Sequence, residues 1–219
     1  MRADRIRPSG RLGVLGRLGA GLAAATLLLT ACGGGAEPAQ GEESSFSGIT
    51  HDAYTVDPTP LTDTDGSAYS LVDDTDKPLT LVFFGYTNCP DICPMVMSSV
   101  ASAVTRLDEA DRDDVEVVFV TTDPARDTGP VLRKYLDGYD PSFVGLTGEL
   151  ETIVKVAEPL HIFVAEGEEL ATGGYDLGAH GTQVSAIGPD DTSTVLWTQD
   201  TSSAEFAADI DALLEDYRS

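Results

Sequence analysis

Gly85-Tyr86-Thr87-Asn88-Cys89-Pro90-Asp91-Ile92-Cys93-Pro94 stands directly after an uninterrupted apolar run, LTLVFF at 79–84. A run of that length without alternation predicts a strand covered on both faces. Beyond it, Met97, Val100, Val104 and Leu107 recur at three- and four-residue steps, which predicts a helix from Pro94 to about residue 110. A second apolar run, VEVVFV at 115–120, predicts another strand. Strand, helix and strand in that order favour a parallel pairing. The quoted stretch is therefore the turn between the first central strand and its crossover helix.

That position gives the two cysteines their chemistry. Pro94 suits the first helical position, where its missing N–H is no loss. A residue before proline is pushed out of helical geometry, which predicts Cys93 as the N-cap. Both sulfurs then lie near the positive end of a helix dipole, which favours thiolate over thiol. Closing a loop of four residues would stabilise the fold by only about 2 kcal/mol, so the pair is explained better by chemistry than as a staple. Two thiolates are soft ligands suited to Cu(I), and one added imidazole gives a three-coordinate set. Structural zinc wants four protein ligands, and this chain supplies few histidines. Of the three, His51 lies near the N-terminal segment and His161 beside an apolar run. His180 sits in a Gly-rich loop just before a predicted strand that passes the cysteine turn, so topology favours it. Met95 and Met97 read as packed helix residues and gap-fillers.

Outward from the centre, residues 46–72 predict one or two strands or a hairpin. A helix is expected at 128–136, with Asp127 or Thr128 as N-cap and Pro130 in the first turn. Residues 143–146 predict a short strand, 149–156 a helix, 161–165 a strand, and the Gly- and acid-rich 166–181 a loop. Residues 182–187 and 193–197, joined by Gly188-Pro189-Asp190-Asp191, predict a hairpin. Ser203 is the expected cap of a last helix over 204–217. The order is that of a thioredoxin-like α/β fold: a central mixed sheet flanked by helices, with an N-terminal strand extension and an insertion before the final hairpin.

The chain opens with Arg2, Arg5, Arg7, Arg11 and Arg17, then a short apolar run over 18–29 that ends in Leu29-Thr30-Ala31-Cys32. The run is too short and too rich in Gly and Ala for a spanning helix. Its end resembles a lipobox, so residues 1–31 are expected to be a lipoprotein signal peptide and Cys32 the lipidated residue. Residues 33–45, GGGAEPAQGEESS, read as a flexible tether spanning about 20 Å root-mean-square. The lipidated cysteine and tether together take 32–45, and the folded domain 46–219, on the extracytoplasmic face of the membrane. The full chain has 13 Lys+Arg and 37 Asp+Glu. The signal region carries five Arg and one Asp, leaving 8 basic against 36 acidic residues and a formal net charge of −28. Such a surface repels phosphate backbones and excludes nucleic-acid binding.

The stretch GYTNCPDICP at 85–94 resembles the SCO/SenC signature, a strand ending in GYT or GFT followed by CPDxCP. Asp123-Pro124-Ala125-Arg126-Asp127-Thr128, followed by Leu132 and Tyr135, resembles the DPxRDT segment of the same family. FVGLTG at 143–148 is similar to its next strand and turn. The resemblance covers about residues 55–217. It implies one copper ion held by Cys89, Cys93 and His180. It further implies a metallochaperone, rather than an enzyme with catalytic residues, that helps assemble the dinuclear CuA centre of cytochrome c oxidase. Its implied partners are the oxidase subunit carrying that centre, and another copper chaperone or a thiol reductant. The chain departs from the family at Ala179 and Gly181, where an Asp and a Ser or Thr commonly flank the histidine. Asp91 is a candidate outer partner of the cysteines. The alternative is a thiol–disulfide oxidoreductase that keeps a target's cysteines reduced. Against it stand the CxxxC spacing and the lack of a proline just before Val184.

Overall fold

Alternate residues of the two apolar runs face opposite ways, and each direction finds its own core. The computed structural model describes residues 46–164 and 181–219, with the backbone alone of two short strands between them. In chain order the elements are β1 (Ile49–Thr55), β2 (Leu61–Asp63), β3 (Ala68–Tyr69), β4 (Leu79–Gly85), α1 (Ile92–Arg106), α2 (Glu109–Asp113), β5 (Val115–Thr121), α3 (Gly129–Leu136), β6 (Val144–Thr147) and α4 (Leu150–Ala157). A 3₁₀ turn (Glu158–Leu160) comes next. It is followed by β7 (Glu168–Glu169), β8 (Tyr175–Asp176), β9 (Val184–Ile187), β10 (Thr192–Trp197) and α5 (Ser203–Tyr217).

All seven residues of β4 are buried, as an unalternating run requires. Leu79, Leu81 and Phe83 join a core with Val117 and Phe119 under α1, α3 and α5. Val82 and Phe84 join the opposite core with Val118, Val120 and Leu146 under α4. The main sheet runs β1-β10-β9-β4-β5-β6-β2-β3. β4, β5 and β6 are parallel, with Leu79 opposite Val115 and Gly85 opposite Thr121. β9 returns antiparallel to β4, β10 to β9, and β1 to β10. The expected thioredoxin-like arrangement is present, with the N-terminal extension split between the two sheet edges: β1 covers β10, while the β2–β3 hairpin covers β6.

Several sequence expectations need correction. Of the strand expected at 161–165, the described residues 161–164 form none, and Val164 makes only an isolated bridge. His161 ends the 3₁₀ turn in the left-handed region at φ 53°, which breaks the extended path, and Phe163 is 64% exposed. The loop expected over 166–181 contains a two-stranded ladder, Glu168 opposite Asp176. The C-terminal helix is capped by Ser202 rather than Ser203. The Ser202 hydroxyl accepts from the Glu205 N–H and the Glu205 carboxylate from the Ser202 N–H, a reciprocal box. Thr128 is the N-cap of α3, without a side-chain bond, because Asp127 turns elsewhere. No described helix is long and apolar enough to cross a membrane.

The N-terminal entry is fixed by a buried carboxylate. Asp209 of α5 accepts from Trp197 Nε1 at 2.7 Å, from the Ser47 N–H at 2.9 and 3.0 Å, and from the Gly48 N–H at 3.0 Å. Gly48 must lack a side chain here, since a Cβ would sit 2.8 Å from the Trp197 ring. The register places Trp197 beside Val184 and Val184 beside Phe83. The chain therefore enters the domain at the end of the sheet where β4 finishes, three strands to the side.

Candidate metal centre

The sheet end beyond Gly85 carries both cysteines. Residues 86–91 form the turn, and α1 begins at Ile92 with Asp91 as N-cap, two residues earlier than the expected Cys93. Cys93 is thus the second helical residue and Pro94 the third. The first four N–H groups of a helix have no intrahelical partner, so a proline is tolerated at the third position as well as the first. The Asp91 side chain makes no capping bond. The Cys89 sulfur takes that role: the Cys93 N–H donates to it at 3.2 Å. The turn is closed on its other side by the Cys89 N–H donating to the Tyr86 carbonyl at 3.3 Å.

Both thiols are free, Cys93 fully buried and Cys89 half-buried. Their acidities diverge. Burial pulls the Cys89 thiol up, but the Cys93 N–H and thiol, the Asp91 N–H and the Tyr86 hydroxyl all donate to its sulfur, and the net result lies below the ordinary thiol value. Burial pushes the Cys93 thiol well up. The Tyr86 N–H opposes this, while donation to Cys89 and its charge add to it. The two shifts favour negative charge on Cys89 over Cys93, with the Cys93 thiol as donor to the Cys89 sulfur. Tyr86 touches both, one through its hydroxyl and one through its amide.

The seat for Cys93 is cut to size. A Cβ on Gly85 would stand 3.0 Å from Cys93 Sγ, 2.9 Å from the Phe83 ring and 3.2 Å from the Phe119 ring. Only glycine leaves room for the sulfur over the strand end. Tyr135 of α3 and Tyr139, just beyond its end, pack against the same core. Met97 is buried beneath the site as expected, but Met95 is not packed: it is 45% exposed.

Asp127, an expected N-cap candidate for the helix at 128–136, instead reaches back to this turn. Its carboxylate accepts from the Thr87 N–H at 2.8 Å, the Thr87 hydroxyl at 2.6 Å and the Thr121 hydroxyl at 2.7 Å. Arg126 pairs instead with Asp123. The signal for this clamp was present as two separate motifs, GYT and DPxRDT, whose contact only the parallel pairing of β4 and β5 brings about.

Of the residues proposed from sequence, the structure brings Cys89 and Cys93 together. His180 lies outside the described residues, as do Cys32 and the signal and tether segments. The neighbouring Gly181 is described: its N–H donates to the Phe163 carbonyl at 2.7 Å, three residues before Val184, which pairs with Phe83. Asp91 is exposed at the mouth of the turn. His51 and His161 belong to a different cluster. The His51 ring stacks on Tyr54 at 3.9 Å between centroids, and His161 meets the same Tyr54 at 4.4 Å. Among the described residues no three His, Cys, Asp or Glu side chains gather as a metal site. Gly181, Thr182 and Gln183, the described residues before Val184, include no proline.

The family model for SCO1/SenC matches residues 48–215 of this chain. Among curated proteins, the Arabidopsis thaliana protein named "Protein SCO1 homolog 1, mitochondrial" is 36% identical over 113 residues, which cover 48% of this chain and 34% of that protein. The chain spans between 34% and 62% of the length of eight curated relatives. Among solved structures, copper-bound ScoI of Bradyrhizobium japonicum superposes with a TM-score of 0.63 at 29% identity, covering 73% of this chain and 99% of that one. BsSco, described as a member of the Sco family of cytochrome c oxidase assembly proteins, superposes with a TM-score of 0.60 at 22% identity, over 77% and 96%.

Proposed function

Because this chain belongs to the SCO1/SenC family, we propose that it is a copper-binding protein that serves assembly of the CuA centre of a cytochrome c oxidase. In this reading Cys89, Cys93 and His180 hold one copper ion, and a lipid on Cys32 keeps the domain at the extracytoplasmic face of a membrane. The carrying observation is the reduced sulfur pair at the N-terminus of α1, one sulfur already favouring its thiolate. The donor set fits the ion: two soft sulfurs within mutual reach suit Cu(I), and an imidazole would let the same set take Cu(II). A bound copper would supply a soft Lewis acid that replaces the Cys93 proton. This chain's own residues do the rest. The dipole of α1 and the Tyr86 hydroxyl stabilise negative sulfur. Gly85 admits Cys93 to the strand end, and the half-buried Cys89 faces the route by which an ion or a partner's thiol would arrive.

The test is anaerobic titration of the reduced protein with copper. One equivalent should bind, with a sulfur-to-Cu(II) charge-transfer band on oxidation, and His180→Ala should lose that band. Unchanged binding in His180→Ala would remove position 180 from the site. A diacylglycerol-sized mass addition that disappears in Cys32→Ser tests the anchor. A second reading, reduction of a target's cysteines, is favoured by the divergent thiols, since one low and one high thiol is the arrangement of an attacking and a resolving cysteine. Turnover of a disulfide substrate without copper binding would establish it in place of the first.

A further inference from the structure

We propose that Asp127 is a positioning residue for the dithiol: its buried carboxylate clamps the turn that carries Cys89 and so biases the sulfur pair towards the open, metal-accepting form and away from the disulfide. The proposal rests on the reading of Cys89 and Cys93 as the working pair.

Asp127 is fully buried and its carboxylate is met by three donors, two from Thr87 and one from Thr121. A buried carboxylate is costly unless its lone pairs are engaged, so Asp127 requires its donors to stay where they are, Thr87 among them, two residues before Cys89. Thr121 is the last residue of β5 and lies opposite Gly85. One step on, the Thr122 N–H donates to the Gly85 carbonyl at 2.7 Å. The chain leaving β4 is thus fastened to the neighbouring strand at Gly85 and again at Thr87. Past Thr87 only residues 88–91 separate the fastened segment from α1. Within that interval the Cys89 sulfur is held by the Cys93 N–H at 3.2 Å. Forming the disulfide removes two electrons and two protons from the thiols and gives them to an oxidised thiol buffer. It also takes the Cys89 sulfur from that N–H into S–S bonding geometry, which demands a defined approach of the two backbones. A turn fastened at Thr87 resists that approach, while two sulfurs held apart by a bound ion need no such movement.

The reduced full-length protein, Thr87→Val, Thr87→Ser, Asp127→Asn and Asp209→Asn are equilibrated with dithiothreitol buffers, and the disulfide fraction is read by alkylation and mass spectrometry. Each is then loaded with copper for its charge-transfer band. Asp209 is the comparator, a buried carboxylate with equally engaged oxygens that touches neither cysteine. Thr87→Val and Asp127→Asn should favour the disulfide about tenfold over wild type, about 30 mV for a two-electron couple, and should shift or weaken the band. Thr87→Ser should restore both readouts, and Asp209→Asn should lower only the melting temperature. Wild-type potential and band in Thr87→Val and Asp127→Asn, with only earlier melting as in Asp209→Asn, would overturn the proposal. Thr87→Val decides alone if Asp127→Asn does not fold. If no variant binds copper, the copper reading fails while the disulfide equilibrium still judges the clamp.

Discussion

Cys89 and Cys93 are four residues apart, yet one is half-open to solvent with its thiol pKa lowered, and the other is sealed with its thiol pKa raised. Alkylation of the reduced protein at increasing pH should therefore label Cys89 first, already below the ordinary thiol range, and leave Cys93 unmodified until the fold opens; peptide mapping checks the order. The same divergence has a stability consequence of fixed sign. For Cys93 the folded pKa exceeds the unfolded one, so its contribution is complete below the unfolded value, about 8.5, and is lost as pH rises towards the folded value. For Cys89 the folded pKa is lower, and its contribution is present above the unfolded value and lost as pH falls through the folded one. Urea unfolding of the reduced protein should show stability declining as pH climbs past the ordinary thiol value. Cys93→Ala should flatten that decline, and an unchanged slope would place its cause elsewhere, for instance at the buried Tyr86.

Among the elements, β4 and its turn depend on Gly85, where an added methyl would meet a sulfur and two aromatic rings at 2.9–3.2 Å. Gly85→Ala should cost about 1–3 kcal/mol by overpacking and should also weaken copper binding, whereas Ser202→Ala should cost about 1 kcal/mol through the lost cap and leave copper binding intact. Denaturant melts beside a copper titration separate the two. β4 and β5 were legible in sequence because burial on both faces writes itself as an unbroken apolar run. The start of α1 was not, because its cap is the Cys89 sulfur, which no propensity scale reads as a capping group. The strand expected at 161–165 failed for a related reason: apolar composition carried the reading, but the left-handed His161 turned the backbone and left Phe163 outside. The dithiol was legible from spacing and motif. The Thr87–Asp127 contact was not, because it joins residues 40 apart through a strand pairing that must be known first.

For the whole molecule, the attachment of the N-terminal segment is the feature with the longest reach. Asp209→Ala would leave the Trp197, Ser47 and Gly48 N–H groups without their acceptor and should cost about 1–3 kcal/mol, releasing β1 first; hydrogen exchange of the β1 amides would report it. That attachment lies on the rim of the sheet that also bears the sulfurs, displaced sideways by three strand spacings, about 14 Å. Had the chain entered at the far rim, a leash would first have to climb the length of β4, about 23 Å for seven residues, which is more than the whole expected span of the thirteen residues at 33–45. With handle and mouth on one rim, the anchor proposed at Cys32 would need only a short leash to hold the domain by the side that bears the sulfurs.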